Sequence, residues 1–194
     1  MDDKDLAQRL YNMLDEALKS FEFISEGFLV QNKDMLEKGE SQFIDILSKN
    51  LEFAEGIVRE GKKNEVDEKF LTLIIPLQEI ALAVRNLISK EKAILERNVI
   101  FSMKAVMEIT ELFNAMKKQF IDTKDYILTK NPALKESIAN TKEKIIKMVD
   151  EYASMHQERL ITGFFGVKAS YLYLSLLGSF KTVAKELVDF SQMV

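Results

Sequence analysis

The sequence predicts an all-α protein of six long helices, arranged as two tandem antiparallel three-helix bundles. Three observations predict it. Apolar residues recur at spacings of three and four along almost the whole chain, the period of a helix buried on one face. Only 7 Gly and 2 Pro interrupt 194 residues, far fewer turn residues than a strand-rich chain needs. The polar breaks fall at similar points in the two halves, giving long, long, medium twice over. That order suggests duplication of a three-helix unit, with residues 1–96 as the first repeat and 97–194 as the second.

The first helix carries Leu6, Leu10, Met13, Leu14, Ala17, Leu18, Phe21, Ile24 and Phe28 on one stripe. A break is expected at Asn32 to Asp34. The second helix then holds Met35, Phe43, Ile46, Leu47, Phe53, Ile57 and Val58, and the polar run Gly61-Lys62-Lys63-Asn64 ends it. The third runs from about Glu65 to Ile88, with a kink expected at Pro76, which removes a backbone donor and crowds the preceding turn. The polar run Ser89 to Arg97 joins the halves, as a linker or as continued helix. Ser102 is placed to cap the fourth helix, which stops near Thr129-Lys130. Asn131-Pro132 then supplies a cap followed by proline at the first helical position. The fifth helix carries Leu134, Ile138, Ile145, Met148, Val149, Tyr152 and Leu160; Gly163 and Gly166 mark the next turn. The sixth, from about Val167 to Gln192, carries Tyr173, Leu177, Phe180, Ala184, Leu187 and Phe190.

Composition narrows the function. With 47% apolar and 30% charged residues, the chain can bury a sizeable core under a solvated surface. The absence of cysteine excludes disulfides, thiolate metal sites and cysteine nucleophiles, and fits a reducing compartment. The acidic start, Met1-Asp2-Asp3-Lys4-Asp5, is unlike a signal peptide, so a cytoplasmic location is expected. The longest apolar stretch, Phe70 to Ile88, is interrupted by Gln78, Glu79 and Arg85, and is expected to fall short of a membrane span. Residues 1–96 hold 13 Lys/Arg against 20 Asp/Glu, and residues 97–194 hold 14 against 11, for a net charge of −4. Neither half has the concentrated basic stripe of a nucleic-acid binder.

Little in the sequence points to catalysis. His156 is the only histidine, too few for a di-iron Glu-x-x-His site or a zinc site, and no nucleophile stands beside it in sequence. A structural or surface role is expected. Glu22 and Glu26 lie one turn apart, as do Asp122 and Asp125; either pair could share a hard cation, but two carboxylates alone make a weak site and a solvated face is the simpler reading. No glycine-rich phosphate loop is present. The 9 Met and 13 Phe at helical spacing read as core, with a Met-lined partner groove as the functional alternative.

Residues 156–163 read His-Gln-Glu-Arg-Leu-Ile-Thr-Gly. They close a long helix that includes Glu143-Lys144-Ile145, and an amphipathic helix, Tyr171 to Val188, follows. This pattern, with His156, Arg159, Leu160 and Gly163 as its fixed points, resembles the PhoU family of phosphate-uptake regulators and the similar domains behind sodium/phosphate cotransporters. The resemblance is carried by residues 143–190; over residues 1–96 it rests on helix pattern. It implies the two-times-three fold. It also implies a multinuclear metal site, built from Glu/Asp-x-x-x-Asp motifs on the third helix of each repeat. The apolar register puts Gln78 and Leu82 at the first motif and Gly178 and Thr182 at the second. None of these is acidic, so metal binding is not carried over and no cofactor is expected.

What the resemblance implies is an intracellular adaptor rather than an enzyme. Its partners would be a phosphate transporter or a sensor kinase, with membrane contact through the partner, no nucleic acid, and the homodimerisation frequent in that family. The alternatives are a helical scaffold unrelated to phosphate and a carboxylate metal-binding protein. Replacing Arg159 is expected to weaken binding or stability mildly, without loss of any turnover.

Overall fold

In a computed structural model, which describes residues 1–61, 64–161 and 167–194, the chain folds into six helices. They are α1 (Asp3–Leu29), α2 (Lys33–Glu60), α3 (Glu65–Glu96), α4 (Met103–Thr129), α5 (Pro132–Ile161) and α6 (Val167–Met193). No strand occurs among the described residues. Lys62, Lys63, Gly163 and Gly166 lie outside them.

Local chemistry fixes the helix starts. Asp2 and Asp5 form a reciprocal capping box at α1, and Asn64 and Asp67 form one at α3. Asn32 accepts from the Met35 amide at 3.1 Å, and Ser102 from the Ala105 amide at 3.2 Å. Asn131 accepts from the Ala133 amide at 3.0 Å, with Pro132 opening α5. Each cap satisfies an amide that the first helical turn leaves without a partner. Gly61 ends α2 with φ 70°, the left-handed conformation glycine adopts without strain.

Two differences from the sequence reading concern α3. The joining run is continued helix as far as Glu96, and Pro76 lies inside α3. It is the longest of the six at 32 residues, so the third helix of the first half is not the medium one. By length and composition α3 is also apolar enough to cross a membrane, contrary to the expectation from its charged residues. Within the fold, 56% of that stretch is buried, as in the core helix of a bundle.

The helices form two antiparallel three-helix bundles side by side. In the first half α2 packs on α1 and on α3; in the second α5 packs on α4 and on α6. The halves join where α1 meets α4 and where α3 meets α6, the most extensive contact in the molecule. One continuous apolar core therefore draws on all six helices. At its centre Phe113 of α4 meets Phe21 of α1 at 5.4 Å and Phe180 of α6 edge-on at 4.9 Å. Such ring pairs add about 0.5–1.5 kcal/mol beyond the area they bury. Within the first half, α1 and α2 approach closely at two glycines. A Cβ on Gly39 would stand 2.7 Å from Ile24 Cγ1 and 2.9 Å from the Ser20 carbonyl oxygen.

Because successive helices alternate direction, one end of the molecule gathers the ends of α1, α3 and α5 and the starts of α2, α4 and α6. Lys33 of α2 pairs there with Glu96 of α3 at 3.6 Å, and Phe101 meets Tyr173 at 5.9 Å. At the opposite end, Lys69 and Lys130 both donate to the Val194 carbonyl oxygen, at 3.2 and 3.0 Å.

Candidate functional site: a buried polar lock between three helices

The densest polar chemistry lies inside the second bundle. Glu108 sits on the apolar stripe of α4, between Ala105 and Leu112, and is 4% exposed. A carboxylate so placed needs charged and hydrogen-bonding partners. It has both. Arg159 of α5 donates from both terminal nitrogens, at 3.0 Å to Oε1 and 2.8 Å to Oε2. The Tyr173 hydroxyl of α6 donates to the same Oε2. The fork geometry of arginine makes this a bidentate, charge-assisted pair. Burial and the neighbouring Glu108 carboxylate push the Tyr173 hydroxyl far above its ordinary range, so it stays protonated as a donor. The hydrogen bond to Glu108 holds the Arg159 guanidinium charged.

His156, one turn before Arg159, is fully buried and stacks on the Tyr173 ring at 4.6 Å between centroids. Its Nε2 and the Ser170 hydroxyl of α6 share a hydrogen bond of 2.7 Å. Burial, followed by the charge on Arg159, lowers the imidazole pKa below 6.5, against a weaker upward pull from Glu108. The ring is therefore neutral at pH 7. Two pairs spaced by three residues, His156/Arg159 on α5 and Ser170/Tyr173 on α6, thus face each other and close on Glu108. On the outer side Tyr152 donates to Glu111, and burial together with that carboxylate raises its pKa.

A serine hydrogen-bonded to a histidine is also the core of a hydrolase dyad. Here both groups are buried, with Ser170 5% exposed. Glu108 is held by Arg159 and Tyr173. The geometry suits a lock that pins three helices together.

The motif residues His156, Arg159 and Leu160 come to the same place as Glu108 and Tyr173, while Gly163 lies outside the described residues. Arg159 does more than lay its stem along the bundle, as its carboxylate partner shows. Leu160 is partly exposed at the bundle end. Gln78 and Leu82 on α3, and Gly178 and Thr182 on α6, lie on one of the two helix pairs that join the halves. Leu82 is 52% exposed, and Thr182 donates to its own helix at the Gly178 carbonyl, 3.2 Å. Beside them Glu79 and Asp189 face Glu186, whose pKa is raised first by burial and then by those charges.

Glu22 pairs with Lys117 of α4, and with Glu26 it lines a cavity of about 310 Å³ between α1 and α4. Asp122 does not face Asp125 across a shared site; it accepts from Lys118 and from the Ser137 hydroxyl. Among the described residues, no group of three or more His, Cys, Asp or Glu is placed to hold a metal ion. Comparison with known protein families gives no matching family, and comparison with characterised proteins gives no match.

Proposed function

We propose that the chain is a PhoU-like intracellular adaptor. It regulates phosphate uptake by binding a phosphate transporter or a sensor kinase, and it has lost the usual metal motifs. The observation that carries this reading is the conjunction at residues 156–173. The His-x-x-Arg-Leu pattern that resembles the family falls at the end of a fifth helix, and its arginine and histidine tie that helix to the fourth and sixth. A pattern used to join helices is what a scaffold needs, and a scaffold offers surfaces rather than a reaction. Fold analogy is a weaker warrant than a site, so the reading rests on its test.

The test is capture of the tagged protein from cells at high and low phosphate, with phosphate uptake measured in cells with and without it. Recovery of phosphate-transporter subunits or a sensor kinase, together with altered uptake in the deletion, supports the reading. Unchanged uptake with neither partner recovered removes it, and turnover of a substrate by the purified protein replaces it with an enzyme.

A further inference from the structure

The exposed apolar side chains are not spread evenly. Among the described residues the three most exposed large apolar side chains are Ile161 at 86%, Ile100 at 85% and Met103 at 78%. All three stand at the end of the second bundle where α4 begins and α5 stops. Met107, Leu160, Tyr171 and Leu174, also exposed, surround them on α4, α5 and α6. At the same end of the first bundle, the α1 terminus adds Leu29 and Val30. Clusters of this kind on a soluble surface mark contacts with another apolar phase.

The chemistry of the end selects the phase. A groove shades the side chains that line it; side chains this exposed protrude instead, which does not suit a helix laid into a groove, and the described residues of this end offer no strand edge for an extended peptide to join. The apolar tips are flanked by Arg97 and Lys104, both exposed. The start of α4 adds the partial positive charge of its amides. Of the nearby acids, Glu96 pairs with Lys33 and Glu108 with Arg159, and Glu158 is exposed on the last turn of α5. Protruding Ile, Met and Tyr beside exposed cations are the composition of a surface that dips into the headgroup layer of an anionic membrane. The buried lock ties together α4, α5 and α6, the helices that carry these tips.

We propose that this end of the second bundle, centred on Ile100, Met103 and Ile161, is a docking surface for anionic lipid. It goes beyond the adaptor reading, which concerns protein partners, and does not depend on which protein is bound.

The test is co-sedimentation of the full chain with protein-free vesicles of phosphatidylglycerol and phosphatidylcholine, and with phosphatidylcholine alone. The wild type is expected to bind the anionic vesicles more strongly, and to be released by salt. The triple variant Ile100→Ser/Met103→Ser/Ile161→Ser is expected to lose at least about tenfold in partitioning. Arg97→Glu and Lys104→Glu are each expected to lose about fivefold or more. Because the altered side chains lie outside the core, thermal unfolding checks that the variants remain folded. No binding to anionic vesicles, or equal binding by the triple variant, overturns the proposal. So does a dimer in solution that only the triple variant disperses, since the patch would then face a second copy. A failed vesicle test with transporter capture intact leaves the adaptor reading standing; the reverse result removes only that reading.

Discussion

Each half of the molecule buries a glutamate on the core stripe of a helix, and the two are treated in opposite ways. In the second half Glu108 is met by a bidentate arginine and a tyrosine hydroxyl. In the first half Glu91 of α3 is 1% exposed, and neither of its oxygens has a hydrogen-bond partner. Burial alone drives its pKa well above 4.5, so the folded protein holds it as the neutral acid. The comparison teaches where polar groups tie the fold together and where they weaken it. The second half uses a buried charge to fix three helices in register. The first half joins α2 to α3 through the half-buried Lys92–Glu40 pair, packs α1 closely on α2, and bears an unanswered carboxyl.

Breaking the answered pair has the largest expected effect. Arg159→Ala leaves the Glu108 carboxylate buried without its cation, which costs about 3–5 kcal/mol in comparable pairs. That is well above the mild effect expected from the sequence, and urea unfolding measures it. Removing the unanswered acid acts in the opposite direction. Glu91→Met is expected to stabilise the protein by about 1–3 kcal/mol at pH 8, the cost of burying a polar group without a partner. Because the folded pKa is raised, the wild type is least penalised below pH 4.5 and loses stability as pH rises from there. The gain from Glu91→Met should therefore grow with pH; a gain independent of pH would mean that Glu91 is not held neutral.

The first half's reliance on close packing is probed by Gly39→Ala, whose methyl meets Ile24 and the Ser20 carbonyl. A loss of about 1–3 kcal/mol is expected, and a smaller one in an Ile24→Ala background, where the clashing Cγ1 is gone. The smallest effect is that of His156. Its pKa is lowered in the folded state, so the unfolded chain takes up the proton first as pH falls below 6.5. Stability is lost from that point downward until the folded pKa is reached. The difference in unfolding free energy between wild type and His156→Gln should change over that interval and stay flat above pH 7.5.

Much of this was legible from the sequence, and the reason the rest was not is specific. Ser102 and Asn131-Pro132 announced two helix starts because a cap acts within three residues of itself. The run Ser89 to Arg97 stayed open between linker and continued helix because it contains Lys90, Glu91, Lys92 and Glu96. Yet Glu91 continues the buried stripe of Val84, Leu87 and Ile88 and is followed by Ile94, so period rather than polarity was the better guide. Glu108 carried the same signal, an acid in register with Ala105, Ile109 and Leu112, and it was missed. Its partners could not be read at all. Arg159 and Tyr173 stand 51 and 65 residues away, and only the packing of α4, α5 and α6 brings them together. The close approaches at Gly27 and Gly39 were likewise hidden, since a glycine inside a helix pattern reads as a weak point until the neighbouring helix is in place.

The most direct test of the lock is a double-mutant cycle on Glu108 and Arg159, with Glu108→Gln, Arg159→Met and the pair followed by urea unfolding. If the two side chains form one buried unit, each single change is severe. The double change then costs less than their sum by about 2 kcal/mol. Single effects that add to within about 0.5 kcal/mol would show that the two groups are not coupled, and that the second bundle is held by its apolar core alone.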